Sequence, residues 1–287
     1  MTTPDLLTIT KTLRASGVAH ADALAAHATP SLRLLANRVD GRVPMGVTRL
    51  GGAPDVPLGF VWPTSHGAPL TFLAQLDLAT LAAPDLPATG WLLFFYDAVT
   101  QPWGFDADDA GGAQVIYVDE PLGSLTRCPH PPIDPDDEAG PFALCDVEIE
   151  PTIDLADAED SLVTTEIPEA QRDAYDDISG ELAGLDEGDV YHHVLGHPQL
   201  LQTDMRCECQ LVVNGIAIDD ERVYRTPRVR ALLAAAPTTW RLLLQLDTDP
   251  DGPGWRWGDA GRLYVWIRRD DLQARAFDRA WIILQSA

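Results

Sequence analysis

The spacing of apolar positions changes character near residue 31. Over residues 4–16, Leu6, Ile9 and Leu13 recur at helical intervals, with Thr3 as a cap and Pro4 in the first turn. A second short helix is expected over 20–27, ending before Pro30. From Ser31 onward, short apolar runs alternate with Gly- and Pro-rich turns, as in RLGGAPDVPLGFVWP, which predicts strands joined by irregular loops. Strands are expected over 69–77, 90–96, 113–118, 143–149, 210–213, 239–247, 261–268 and 280–285. Short helices are expected over 77–82, 166–183, 226–235 and 270–274. Strands do not alternate regularly with long helices. The pattern therefore predicts an α+β fold of mixed, mainly antiparallel sheets with short N-terminal helices, not a parallel α/β sheet.

The pattern also repeats. The first half reads RLGGAPDVP, TFLAQLDLATL and GWLLFFYD; the second reads VLGHPQLLQ, WRLLLQLDTDP and GRLYVWIRRDDL. Matched positions are Gly52 and Gly196, Pro54 and Pro198, Gln75 and Gln245, Asp77 and Asp247, and Gly90 and Gly261. This predicts an approximate internal duplication: N-terminal helices over 1–30, then a domain over 31–287. Its two halves, about 45–120 and 190–285, are joined by a segment at about 128–190. Strict strand alternation places Phe72, Ala74 and Leu76 on one face, with Leu73, Gln75 and Asp77 on the other. It likewise sets Trp240, Leu242, Leu244 and Leu246 opposite Arg241, Leu243, Gln245 and Asp247. Two readings of the repeated Gln-x-Asp stay open. Gln satisfies backbone groups and Asp caps the helix begun by LATL, or the two pairs converge in one cleft to bind a ligand.

Charge narrows the partners. Of 287 residues, 46% are hydrophobic and 22% charged, ordinary globular values that allow one large domain or two small ones, but the net charge is −24. Phosphate backbones and anionic membrane surfaces are repelled by such a chain, so neither nucleic acid nor membrane is expected as a partner. A basic protein partner fits. A GC-rich or salt-adapted genome would also explain a chain whose single lysine is Lys11. Between Cys128 and Met205 lie 21 of the 44 acidic residues against one basic residue, Arg172. DPDDEAG and DLADAED are expected as exposed loops, and YDDISGELAGLDEGD as a helix end and linker. MTTPDLLTITKTL has no signal-peptide character, and no apolar run reaches the ~18 residues that span a bilayer, so a cytosolic location is expected.

Candidate chemistry is sparse. In GWRWGDAGRLYVWI, Asp259 either holds a turn or acts as a catalytic carboxylate beside Trp255 and Trp257, whose indoles would stack on a flat ligand. Cys128, Cys145, Cys207 and Cys209 match no zinc or redox spacing and are read as thiols. His192, His193 and His197 lie close together, but Gly196 and Pro198 argue against a helix that would present them to a metal. There is no nucleophile elbow, P-loop or dinucleotide fingerprint. No metal or cofactor is implied.

The stretches RLGGAPDVPLGFVWP, PLTFLAQLDL, GWLLFFYD, VLGHPQLLQTD, WRLLLQLDTD and RWGDAGRLYVWI resemble the YwqG-like family, a bacterial family of unknown function, over about residues 48–285. The resemblance implies a cytosolic bacterial protein of mixed α and β structure with an internal duplication. It implies no reaction, cofactor or catalytic residue. Some relatives lie near toxin genes, which implies an immunity role. The expectation is therefore a non-catalytic protein-binding module of toxin-immunity type. The alternative is an enzyme or small-ligand binder, with a cleft between the halves lined by Gln75, Asp77, Gln245, Asp247, Trp255, Trp257 and Asp259.

Overall fold

A computed structural model describes residues 5–132, 140–185, 188–219 and 222–286. Ten strands form one sheet: β1 (Thr29–Arg38), β2 (Arg49–Leu50), β3 (Thr71–Asp77), β4 (Trp91–Tyr96), β5 (Ala113–Val118), β6 (Cys145–Asp154), β7 (His192–Leu195), β8 (Trp240–Asp247), β9 (Arg262–Arg268) and β10 (Trp281–Gln285). Their order is β10-β9-β8-β7-β1-β6-β2-β3-β4-β5, and neighbouring strands pair antiparallel. When β1–β5 are matched in turn to β6–β10, the order is symmetric about the central β1/β6 pair, and the first strand of each set lies beside the strands of the other. Two small two-stranded sheets, Asp55–Pro57 with Leu125–Arg127 and Thr64–Ser65 with Ala68–Pro69, flank the large one.

The sheet curls almost into a barrel because its apolar side chains can bury only against one another. Every strand sends a residue into one core: Leu34, Leu50, Leu76, Phe94, Val115, Cys145, Val194, Leu244, Val265 and Leu284 all belong to it. The edge strands β5 and β10 do not pair. The segment after β4 fills the seam, where Trp103 O accepts Leu284 N–H at 3.0 Å and Gly104 O accepts Trp281 Nε1–H at 2.8 Å. Gly104 permits this contact, since a Cβ there would collide with Ile282 O.

Strict alternation fails at one point in each half. Register shifts between Phe72 and Ala74 in β3 and between Leu242 and Leu244 in β8 make Leu73 and Leu243 bulge residues. A bulge's extra residue reverses the faces on either side of it. Leu73 therefore joins Ala74 and Leu76 inside, and Leu243 joins Leu244 and Leu246, while Phe72, Trp240 and Leu242 pack in clusters outside the barrel. This corrects the grouping of Phe72 with Ala74 and of Leu242 with Leu244.

Helices α1 (Leu6–Ala15) and α2 (Ala21–Ala26) confirm the two N-terminal helices, but the cap of α1 is Asp5, whose Oδ1 accepts Thr8 N–H at 2.8 Å. Thr3 and Pro4 lie outside the described residues, as does most of DPDDEAG. Helix α3 (Leu78–Leu81) follows β3 as expected. Further on come α4 (Ser161–Thr164) and α5 (Arg172–Ala183), with Gly184 ending α5 at φ 65°. The segment DLADAED is not an exposed loop. Leu155, Ala156 and Ala158 pack with Ile9, Leu13 and Leu24 from α1 and α2 and with Tyr175 from α5. Charge composition misjudged it because its small apolar residues fall between the carboxylates. Nor is 210–213 a strand. Helix α6 (Arg206–Val212) occupies it, since Met205 and Cys209 at helical spacing cover Trp240 and Trp266. Helices α7 (Pro227–Thr239), capped by Thr226, and α8 (Arg269–Gln273) lie close to their expected places. No helix of the described residues is long and apolar enough to cross a membrane.

Short strands β2 and β7 leave backbone groups unpaired beside them, and the two glutamines serve those groups in the same way. Gln75 Oε1 accepts Asp55 N–H at 2.8 Å and Nε2 donates to Val47 O at 3.1 Å. Gln245 Oε1 accepts Gln199 N–H at 2.9 Å and Nε2 donates to Tyr191 O at 3.1 Å. Two residues on, Asp77 N–H donates to Thr48 Oγ1 and Asp247 N–H to His192 Nδ1. Both glutamines are fully buried, and an orphaned buried group costs about 1–3 kcal/mol. Gln75→Ala and Gln245→Ala should therefore each lower stability by about 2–4 kcal/mol in urea unfolding. A loss under about 1 kcal/mol in either half would show that the backbone finds other partners.

Candidate functional site

The side chains singled out in the sequence do not meet in one cleft. Gln75 and Gln245 are spent on backbone groups, and β3 and β8 stand five places apart in the sheet. Asp77 caps α3, accepting Ala79 N–H at 3.1 Å and the Thr80 hydroxyl at 2.6 Å. Trp255 and Trp257 are fully buried in the barrel core, their rings 5.5 Å apart, with Phe142 edge-on to both. The glycines of their loop fold it inward, and Trp255 Nε1 donates to Asp247 O at 2.7 Å. They present no face to a ligand. Asp259 is exposed on a turn closed by the Gly261 N–H to Trp257 O bond at 2.6 Å, so the backbone and not the carboxylate holds that turn. Of the seven, Asp247 lines a sizeable cleft.

The neighbouring histidines are structural. His192 Nδ1 accepts Asp247 N–H, which leaves Nε2–H for Asp249 Oδ2 at 3.2 Å. His193 Nδ1 donates to Leu195 O at 2.8 Å, holding Leu195 at a left-handed φ of 62°. His197 Nε2 reaches His27 O at 2.7 Å. Burial lowers the pKa of both His193 and His197, which keeps them neutral. Among the described residues, no group of His, Cys, Asp and Glu is placed to hold a metal ion.

The cleft that holds Asp247 has a volume of about 620 Å³. It lies where the 155–191 connection, folded against α1 and α2, meets the β8 and β9 end of the barrel. Asp154, Asp157, Asp176, Asp177, Asp189 and Asp247 line it. Arg262 pairs with Asp247 at 3.1 Å and Arg33 with Asp189 at 3.5 Å. Among the described residues no Arg or Lys pairs with the other four. Asp157 accepts Glu159 N–H and Leu200 N–H, and Asp176 accepts Ala158 N–H. Desolvation and neighbouring negative charge raise both carboxyls, and Asp176, beside Asp157, is pushed up to about 6.

At two other places buried carboxylates are met by arginine. Asp55 is fully buried between Arg49 and Arg127, both 2.8 Å away. Burial opposes its charge, but the two guanidiniums and Gly46 N–H outweigh burial and bring Asp55 down to about 2. Asp160 and Asp204 share Arg206. Asp154, Asp157, Asp176 and Asp177 differ from these in having no arginine among the described residues. Sequence reading missed Asp154, Asp157 and Asp176 as site residues. The available signal was Leu155, Ala156 and Ala158, small apolar residues that draw the intervening carboxylates inward.

A family model described as Domain of unknown function (DUF1963) matches residues 48–286. No curated protein matches the chain. The matched span excludes β1, which nevertheless pairs with both β6 and β7 at the centre of the sheet.

The raised Asp176 carboxyl sets a pH signature. In the folded state it holds its proton up to about pH 6, against an ordinary value of 3.8. Its contribution is fully present below pH 3.8 and lost as pH rises through about 6. Asp176→Asn keeps an acceptor for Ala158 N–H and removes the repelled charge. It should raise stability by about 1 kcal/mol at pH 8, a figure reduced for solvent screening, with a smaller gain at pH 5. Urea unfolding at the two pH values checks this, and an equal gain at both would contradict it.

Proposed function

We propose that this chain, which belongs to the family described as Domain of unknown function (DUF1963) through residues 48–286, is a non-catalytic binding protein that engages a basic protein partner. One observation carries the reading: six carboxylates line one cleft, and four of them have no Arg or Lys partner among the described residues. The net charge of −24 favours encounter with a cationic surface. Asp157, Asp176, Asp177 and Asp189 lie on a connection that packs against the helices preceding the family match. The YwqG-like resemblance points the same way, toward neutralisation of a basic toxin in a bacterial cytosol. The symmetric strand order and the matched glutamine contacts support two copies of one ancestral unit, which here supply the rigid frame of the cleft.

Capture from a native lysate tests the function. The immobilised chain should retain a discrete basic protein after washing at about 150 mM salt, where diffuse surface attraction is screened beyond about 8 Å. Ala183→Arg, which places a cation of its own on the cleft wall, should lose that protein. Retention of nothing even at about 50 mM salt, or equal retention by Ala183→Arg, would end the proposal.

A further inference from the structure

The stretch RLGGAPDVPLGFVWP contributes nothing to the acidic cleft and ends in an apolar tip. Pro57 to Phe60 form a turn closed by Phe60 N–H to Pro57 O at 3.1 Å, with Gly59 at φ 82°. Phe60 stacks on Phe95 with ring centres 6.2 Å apart. Trp62 sits edge-on to Phe95 at 5.3 Å, and its Nε1 donates to Leu70 O at 2.8 Å. These rings anchor the tip on the outer face of β3 and β4. Leu58 and Val61, next to the anchors, are left 93% and 83% exposed. The Pro57 and Leu125 pairing sets the 122–124 turn, with exposed Leu122, beside them. An anchored turn that holds large apolar side chains out to water marks an interaction surface. The other half finishes its matching outer face differently. There Trp240, Leu242, Tyr264 and Trp266 lie under α6, and α7 packs on α6 as a further layer.

Charge points to the occupant. Residues 41–76 and 121–132 hold one of the 44 acidic residues, Asp55, and it is fully buried between Arg49 and Arg127. A basic protein finds no exposed carboxylate to meet in these segments. Two bodies that each carry −24 touch at the lowest electrostatic cost where carboxylates are absent, and interface centres are depleted of charge for the same reason. The borders of the face are charged in opposite senses. Arg127 holds Val43 O and Pro44 O at 3.2 and 3.1 Å, while Gly46 lies against Leu122, so residues 43–46 run beside 127–122. Arg42 therefore stands beyond one end and Glu120 beyond the other. Both are exposed, and neither has an ion-pair partner among the described residues. A twofold axis through the face brings opposite borders together. We infer that Leu58 and Val61 form the centre of an isologous contact between two copies of this chain, with Arg42 of each copy beside Glu120 of the other. The apolar centre supplies affinity and the reciprocal ion pairs set the register. So small a centre makes the dimer a weak one.

Sedimentation velocity on the full chain tests the contact. A monomer–dimer equilibrium should appear between about 5 and 200 µM. Leu58→Asp/Val61→Asp should stay monomeric throughout, and since both side chains are exposed its urea unfolding should match that of the parent chain. Leu6→Asp/Leu7→Asp adds the same charge at an exposed pair on α1 and should leave the dimer intact. Arg42→Glu and Glu120→Arg should each weaken dimerisation by about fivefold or more, and the two together in one chain should restore it. A monomer at about 200 µM, a dimer that survives Leu58→Asp/Val61→Asp, or equal weakening by the pair on α1 would overturn the contact. Failure of the charge swap to restore the dimer would overturn the twofold pairing, as would assembly beyond two copies. Phosphatidylcholine vesicles should not retain the chain. Retention that Leu58→Asp/Val61→Asp abolishes would assign the face to a bilayer and overturn the proposal. Loss by that variant of a basic protein captured from lysate would assign the face to that protein, with the same consequence.

Discussion

The fold depends on how backbone groups are satisfied where its two shortest strands stop. Arg49–Leu50 and His192–Leu195 bridge the long central pair to the outer strands, but they are too short to supply a full hydrogen-bond ladder. Val47 O, Asp55 N, Tyr191 O and Gln199 N would otherwise have no strand partner beside the sheet. A buried glutamine amide, with one acceptor and one donor in fixed geometry, replaces the missing strand residue on each side. The bulge two residues earlier belongs to the same device. It directs Leu73 and Leu243, rather than Phe72 and Leu242, into the barrel while Gln75 and Gln245 remain on the outer face. Curvature and polar satisfaction are therefore solved at one place in each half.

The treatment of charge follows from this frame. A chain with 20 basic residues against 44 acidic ones cannot pair every carboxylate. Three of its arginines serve buried carboxylates: Arg49 and Arg127 on Asp55, Arg206 on Asp160 and Asp204. Removing a partner from such a buried pair costs about 3–5 kcal/mol, so those arginines are committed to stability. The carboxylates over Asp154 sit at a rim where water tempers repulsion, and they can remain unpaired without unfolding the protein. An acidic cleft of this kind is sustained because its cost is small enough for the rest of the fold to absorb.

How much of this was legible in the sequence varied with the type of signal. The LAQLD and LLQLD strands, the aromatic strands that follow them and the N-terminal helices were readable because apolar period and glycine punctuation agreed. The structural reading of Gln-x-Asp was also within reach, since Asp77 caps the LATL helix. Three things were not. The bulges carry no residue of their own, so strict alternation put Phe72 and Leu242 on the wrong face. The QLVV run has strand propensity, but Met205 and Cys209 set a helical face that only Trp240 and Trp266 reveal. Trp255 and Trp257 lie in a glycine-rich loop that looks exposed until the barrel closes over it. In the acidic middle, the net charge of DLADAED concealed three small side chains that bury.

The symmetric frame also shows why the cleft occurs once. The β1/β6 pair sets Thr29 against Asp154 at one end and Arg38 against Cys145 at the other. Corresponding strand ends thus carry a buried carboxylate in one half and an exposed guanidinium in the other. The connections that follow differ in the same sense. Residues 39–48 return directly to the sheet, whereas 155–191 fold as α4 and α5 under the N-terminal helices and raise a wall beside the barrel. At the positions of Arg49 and Asp55, which close their end of the sheet with an ion pair, the other half has the neutral His193 and Gln199. Asp154 there receives the Tyr191 hydroxyl on one oxygen and packs the other, buried, against Gly196. The two ends therefore differ in how one carboxylate is met: Asp55 lies between two arginines, whereas Asp154 pairs with none among the described residues.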